Sequence, residues 1–210
     1  MIAGKFITLE GIEGVGKTTA TDTVISFCEN YLEKKVVSTR EPGGTSLAER
    51  FREILLEQTE EKMNSRTELL LFFAGRAQHI SELIEPALKK GYFVISDRFL
   101  DATYAYQGGG RGVDLKVIKT LEDIVHPNLK PDLTLLLDAP LSVCTKRLST
   151  RKYKDRFEQE QNYFFEKVRN SYLQRAAQEP ERIKIVNANQ PLKDVQKSIE
   201  NELLRAFNED

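Results

Sequence analysis

Eight residues near the N-terminus constrain this chain more than anything that follows them: GIEGVGKT, residues 11–18. They match G-x-x-x-x-G-K-[ST] in full, after a β-rich run (KFITLE, 5–10) and before a helical pattern. Glycines let the backbone curl so that successive N–H groups face inward. At a helix N-terminus, where the dipole is positive, that curl is a nest for an anion. Gly11, Ile12, Glu13, Gly14, Val15, Gly16 and Thr19 are the candidates to wrap a triphosphate. Lys17 is placed to reach its β- and γ-phosphates, and Thr18 to offer a hydroxyl to Mg²⁺. The plain alternative is a glycine-rich turn without a ligand, and the strand-before, helix-after setting argues against it.

The rest of the chain repeats the same unit. Runs at 34–39 (KKVVST), 92–97 (YFVISD), 132–138 (DLTLLLD) and 182–187 (RIKIVN) read as further strands, several almost continuously apolar. Strands covered on both faces have that pattern. Helical stretches at 17–33, 46–57, 66–89, 114–125, 141–150, 157–178 and 191–206 lie between and after them. The alternation predicts an α/β fold, a parallel sheet with helices on both faces. No repeat, low-complexity tract or long linker interrupts it, so one domain is expected.

A phosphate held by the loop needs a destination. No N-K-x-D-like base reader or D-x-x-G switch sits in a plausible place, which weakens a GTPase-type switch or scaffold. A kinase needs a second anion site at the C-terminal ends of the strands, where open α/β sheets bind ligands. In TREPGGT (39–45), Arg40 leaves a strand as Pro42, Gly43 and Gly44 turn the chain, and Arg52 follows on the next helix. Either could grip a phosphomonoester or be a surface ion pair. In SDRF (96–99), Asp97 ends an apolar strand, placed to orient a Mg²⁺-bound water or the attacking oxygen, and Arg98 to hold an incoming phosphate. Phe72 and Arg76 are four apart in a helical pattern, so a stacking ring and a guanidinium share a face. Taken alone, Phe72 reads rather as part of a core stripe with Leu69 and Phe73. In ATYAYQGGGRG (102–112), Tyr106 and Gln107 could wall a sugar and read a base. The glycines there imply a mobile loop or a close backbone approach. Glu13 is unwelcome beside a triphosphate unless it has another partner, either a sugar hydroxyl or a metal's shell. As a loop residue it could also be merely solvated.

Residues 146–156 (KRLSTRKYKDR) carry six cations, Lys146, Arg147, Arg151, Lys152, Lys154 and Arg156, against Asp155. The block could be a solvated helix face, an RNA-binding patch, or a lid whose cations neutralise charge on the transferred phosphoryl group. The loop's variable positions hold no cation, which favours the lid. Charge over the whole chain argues against nucleic acid: 31 basic residues face 32 acidic ones. No apolar run approaches a membrane span, and the N-terminus lacks a signal-peptide pattern. Cys28 and Cys144 form no CxxC pair, as expected of a reduced, cytoplasmic setting.

Taken in order, FITLEGIEGVGKTTA, TREPGGT, FFAGRAQH, SDRF, AYQGGGRG, PDLTLLLD, DRFEQE and NANQPL resemble the thymidylate kinase family across nearly the whole chain. The resemblance implies a P-loop NTPase-type three-layer fold, with a five-stranded parallel sheet flanked by helices. It implies a single domain, 1–210, with a LID near 147–157. The implied reaction moves the γ-phosphate of ATP to dTMP with Mg²⁺, in a cytosolic homodimer. By the same resemblance Phe72 stacks on thymine, Arg76 bonds the base carbonyl, and Thr103 and Gln107 lie against the base. Tyr106 lies under the sugar and Glu13 near the acceptor's sugar and phosphate. Arg40, Arg52 and Arg98 surround the monophosphate, with Asp97 near the metal (bound through Thr18) and the transferred group. Arg147 faces adenine. The subgroup implied carries its catalytic cation in the LID, at Arg151 or Arg156. Another P-loop nucleotide or nucleoside kinase is the nearest alternative.

Overall fold

A computed structural model of the chain describes residues 4–149 and 155–207. Strands β1 (Phe6–Glu10), β2 (Val36–Arg40), β3 (Phe93–Asp97), β4 (Leu133–Asp138) and β5 (Ile183–Asn187) form one sheet, ordered β2-β3-β1-β4-β5. Every pairing is parallel, as the near-continuous apolar runs predicted. The helices are α1 (Lys17–Asn30), α2 (Ser46–Leu56), α3 (Ser65–His79), α4 (Glu85–Lys89), α5 (Leu100–Thr103), α6 (Leu115–Val125), α7 (Leu141–Leu148), α8 (Asn162–Gln178) and α9 (Leu192–Phe207).

Successive strand residues point to opposite faces, and this makes the three layers. On β3, Phe93 and Ile95 join an apolar cluster with residues of α1, α8 and α9, while Val94 joins another with residues of α3 and α6. Thr8 and Thr134, buried on paired strands, share a hydroxyl–hydroxyl bond of 2.7 Å, so these two polar groups satisfy each other. Leu69, Ile80 and Ile84 also lie in the core.

The sheet register sets the level of the site. Leu9 and Arg40 both pair with Asp97, so β1, β2 and β3 finish side by side. The loops that leave them converge.

Three helical stretches differ from the sequence pattern. The run 66–89 is α3, then one wide π-helical segment (Ile80–Ile84), then α4. The helix expected from 157 begins at Asn162. The glycine-rich segment is no loop: α5 leads into a π-helical segment, Tyr104–Gly110, whose residues 104–108 are buried. A Cβ on Gly109 would lie 2.6 Å from the Ser171 Cβ, and one on Gly110 2.5 Å from the Phe164 ring, both on α8. The glycines therefore serve a close approach of two helical backbones. Among the described residues, no helix is long and apolar enough to cross a membrane.

Candidate active site

Loops following β1, β2 and β3 enclose a cleft of about 460 Å³. Its phosphate end is the 11–18 loop. Gly11, Gly14 and Gly16 all have positive φ, the curl that the spacing predicted. Gly14 has a second constraint, because a Cβ there would lie 2.5 Å from the Cys144 carbonyl oxygen. Ile12 and Val15 turn into the core, leaving backbone to face the anion. Lys17 donates to the carbonyls of Gly11 (3.2 Å) and Ile12 (3.4 Å) and lines the cleft with Thr18 and Thr19. Burial, and then Arg98, lower its pKa. An anion seated in the loop offsets both effects.

Arg98 stands between the two ends of the cleft. Its φ of 72° is costly for a residue with a side chain. Neighbouring bonds hold it there: its N–H donates to the Leu9 carbonyl (2.9 Å), and its own carbonyl accepts from the Ser96 hydroxyl (2.7 Å). Its guanidinium donates to Glu13 at 2.9 Å and to the Tyr172 hydroxyl at 3.1 Å, and lies 4.7 Å from the Tyr106 ring centre. Tyr106 in turn donates to the other oxygen of Glu13 at 2.6 Å. The partner that Glu13 requires in this structure is thus Arg98, together with Tyr106. Behind them Tyr172 donates to Glu10 at 2.7 Å, and Phe99 N–H bonds the same carboxylate at 2.8 Å. Burial, and secondarily Asp101, raise the Glu10 pKa to about 7, with Arg98 opposing the rise. Asp97 lines the cleft, and its Oδ1 is buried with no hydrogen-bond partner.

Arg40 and Arg52 both line the cleft on the β2 side. Arg40 pairs with Glu49 at 2.9 Å in a half-exposed bridge, and Arg52 donates to the Pro42 carbonyl at 2.8 Å. Burial, followed by Arg40, lowers the Arg52 pKa.

The other end is a ring-and-guanidinium pocket. Phe72 lines it beside Arg76 and also packs against the core and edge-on to Phe157 (6.1 Å between ring centres), while Leu69 and Phe73 are fully in the core. Arg76 is 1% exposed and donates to Glu41 (2.8 Å), to the Phe99 carbonyl (3.1 Å) and to the Thr103 hydroxyl (2.9 Å). Its Nη1 has no partner. A buried, unspent guanidinium donor in a cleft is a site for a ligand's acceptor atom. Glu41 also bonds His79 Nδ1 at 3.0 Å. Although burial alone would raise the Glu41 pKa, Arg76 and His79 leave it lowered. Gln107 lines the same pocket, and its amide nitrogen donates to Glu68 at 2.8 Å.

On the lid side Arg147, at the end of α7, bonds the carbonyls of Val15 (3.1 Å) and Ala188 (3.2 Å) and lines the cleft. Arg156 is tied to the wall of the base end. It pairs with Glu68 at 2.7 Å, donates to the Leu55 carbonyl at 3.0 Å and stacks on Phe157. Arg151 lies outside the described residues.

Sequence reasoning missed the acids and rings that hold these groups: Glu10, Glu41, Glu68, His79 and Tyr172. Only Glu68 left a signal, since Glu68, Phe72 and Arg76 follow at i, i+4 and i+8 on one helix face.

The fold and this two-ended cleft define a P-loop nucleotide kinase, with an anion nest facing a pocket for a second, ring-bearing molecule. The family model described as thymidylate kinase matches residues 9–199. A thymidylate kinase of Pseudomonas fluorescens is 55% identical over 199 residues, covering 95% of this chain and 94% of that one. One from Methylobacillus flagellatus is 48% identical, covering 93% and 95%. A crystal structure of thymidylate kinase from Ehrlichia chaffeensis matches with a TM-score of 0.77 at 33% identity, covering 96% of this chain and 98% of the other. The chain belongs to the thymidylate kinase family.

Proposed function

We propose that the cleft transfers the γ-phosphoryl group of ATP to dTMP, giving ADP and dTDP, in the route to dTTP. Membership of the family makes the chain a dTMP kinase. The observation that carries the assignment of ends is Arg76: a buried guanidinium with one free donor beside Phe72, across the cleft from the 11–18 nest. Thymine stacks on Phe72 and presents a carbonyl to Arg76, with Thr103 and Gln107 along its edge. Tyr106 lies under the deoxyribose with Glu13 nearby. Arg40, Arg52 and Arg98 surround the acceptor phosphate.

A phosphate monoester is already anionic, so the reaction needs positioning and charge stabilisation rather than a strong base. The backbone of residues 11–16, with Lys17 and Thr19, holds the ATP phosphates, and Arg147 borders the adenine. Lys17 and Arg98 face the transferred group from its two sides. The family implies Mg²⁺, and the donor set fits it: the Thr18 hydroxyl and the unpartnered Oδ1 of Asp97 would be its protein ligands. Two hard oxygens suit an ion that fills its shell with water and phosphate oxygens. Held there, it would supply charge neutralisation for the phosphate oxygens. We read the chain as one of the LID-cation subgroup, with a further cation from the lid near 147–157. Arg151 and Arg156 are both candidates for it; Arg156 pairs with Glu68 and keeps one buried, unpartnered nitrogen, Nη2. Leu47 and Ile54 on α2 and Leu70 on α3 are exposed apolar side chains, which supports a homodimer. One catalytic domain, 1–210, acting in the cytoplasm completes the reading.

ADP release measured with ATP and Mg²⁺ against dTMP, dUMP, UMP, dCMP, dGMP and thymidine tests it. A strong preference for dTMP with UMP nearly silent is the expected result. Preference for another acceptor would overturn the pocket assignment, and no acceptor-dependent turnover would overturn the reaction.

A further inference from the structure

The base end of the cleft contains a buried acid that touches neither the phosphate loop nor Arg76. Glu68 is 1% exposed, in the first turn of α3. Its Oε1 accepts from Gln107 Nε2 at 2.8 Å and lies 3.4 Å from Arg111 Nε, and its Oε2 pairs with Arg156 at 2.7 Å. A carboxylate between two guanidiniums offers acceptors only. An amide facing it must turn its NH₂ group inward, because the flipped amide would set oxygen against oxygen and strand a donor. The carbonyl oxygen of Gln107 is therefore directed away from Glu68, on a side chain that lines the cleft.

The pocket wall then presents the Arg76 Nη1 donor and the Gln107 Oε1 acceptor, beside the Thr103 hydroxyl, whose oxygen already accepts from Arg76. A carbonyl beside a ring N–H, the edge of thymine or uracil, matches both. Cytosine carries an amino donor beside a bare ring nitrogen, and so mismatches both. We infer that Glu68 is a specificity-positioning residue: by holding the nitrogen of Gln107 it sets the pocket for an imide-edged base and against a cytosine-edged one. The inference rests on the base assignment made above, with Gln107 against the base.

The test compares kcat/KM for dTMP and dCMP in wild type, Gln107→Ala, Glu68→Gln and the double variant. Gln107→Ala should lower the dTMP-to-dCMP ratio by roughly ten- to a hundredfold, the scale of one polar base contact. Glu68→Gln presents a donor as well as an acceptor and no longer dictates the orientation of Gln107. It should lower the ratio by about tenfold or more, through KM for dTMP with KM for ATP unchanged. The double variant should fall no further than Gln107→Ala alone. A ratio unmoved by Gln107→Ala overturns the base assignment and the inference with it. A ratio that falls in Gln107→Ala but holds in Glu68→Gln, with both acceptors slowed alike, overturns the positioning role alone. If Glu68→Gln does not fold, side-chain amide NMR of the wild type decides. The Gln107 NH₂ resonances, assigned by their loss in Gln107→Ala, should move little when dTMP is added. A large shift, the mark of NH₂ bonding the base, overturns the inference.

Discussion

The two ends of the cleft are held by different kinds of structure. At the phosphate end, function lies in backbone: three positive-φ glycines, a helix start and one lysine, all within eight consecutive residues. At the base end, function lies in side chains from four separate segments, tied by buried ion pairs: Glu41, Arg76 and His79 at one level, Glu68, Gln107 and Arg156 at another. A nest of N–H groups can be lost only by changing the path of the chain. A network of buried charges can be broken by one substitution, because each deletion leaves a partner uncompensated in low dielectric.

The comparison can be broken most directly at Arg76. Arg76→Met should destabilise the fold by about 3–5 kcal/mol, since it leaves Glu41 buried against His79 alone. Urea denaturation measures this, and a loss under about 1 kcal/mol would mean that the network is not a structural element. Lys17→Met should do the reverse. Turnover should drop roughly a hundred- to a thousandfold, as for loss of one oxyanion donor. The melting temperature should hold or rise, because the lysine's own surroundings disfavour its charge. A melting temperature that falls with activity would erase the contrast between the ends.

Glu10 sharpens it with pH. Between the unfolded carboxyl value of 4.5 and the folded value of about 7, the native state keeps a proton that the unfolded chain has released. Stability therefore falls as pH rises through that window. Glu10→Gln should remove this slope, so denaturation at pH 5 and pH 8 should show the variant gaining on wild type at the higher pH. Parallel curves for the two proteins would contradict the burial argument. The smallest effect is expected at Gly110→Ala. The added methyl meets the Phe164 ring and should cost about 1–3 kcal/mol by overpacking, seen in the same denaturation experiment. A neutral result would mean that α8 can shift aside.

Much of this is legible in the sequence. The five strands were read from apolar runs, and the phosphate loop from its spacing, because both signals are local. Phe72, Arg76 and Arg98 were candidates by type and position, and all three line the cleft. Less legible was the 102–112 segment, where a glycine run suits a mobile loop and a tight helix contact equally well. Only the presence of α8 decides between them. The basic run and the DRFEQE stretch point to Arg156 as a lid cation, but neither reveals its partner. Its pairing with Glu68 spans 88 positions of chain, a distance at which local pattern carries no information.

The sequence by itself determined that a parallel α/β sheet would present a phosphate nest at a strand end, since the period of the apolar residues and the glycine spacing admit few other folds. The tertiary structure decided which charges neutralise one another. Glu13 meets Arg98 and Tyr106, Glu41 meets Arg76, and Glu68 meets Gln107 and Arg156 only where strands and helices distant in the chain come together. Hydrophobic patterning repeats within a few residues and survives in one dimension. Complementary hydrogen bonding is fixed by distances of about 3 Å in space, which no spacing along the chain encodes.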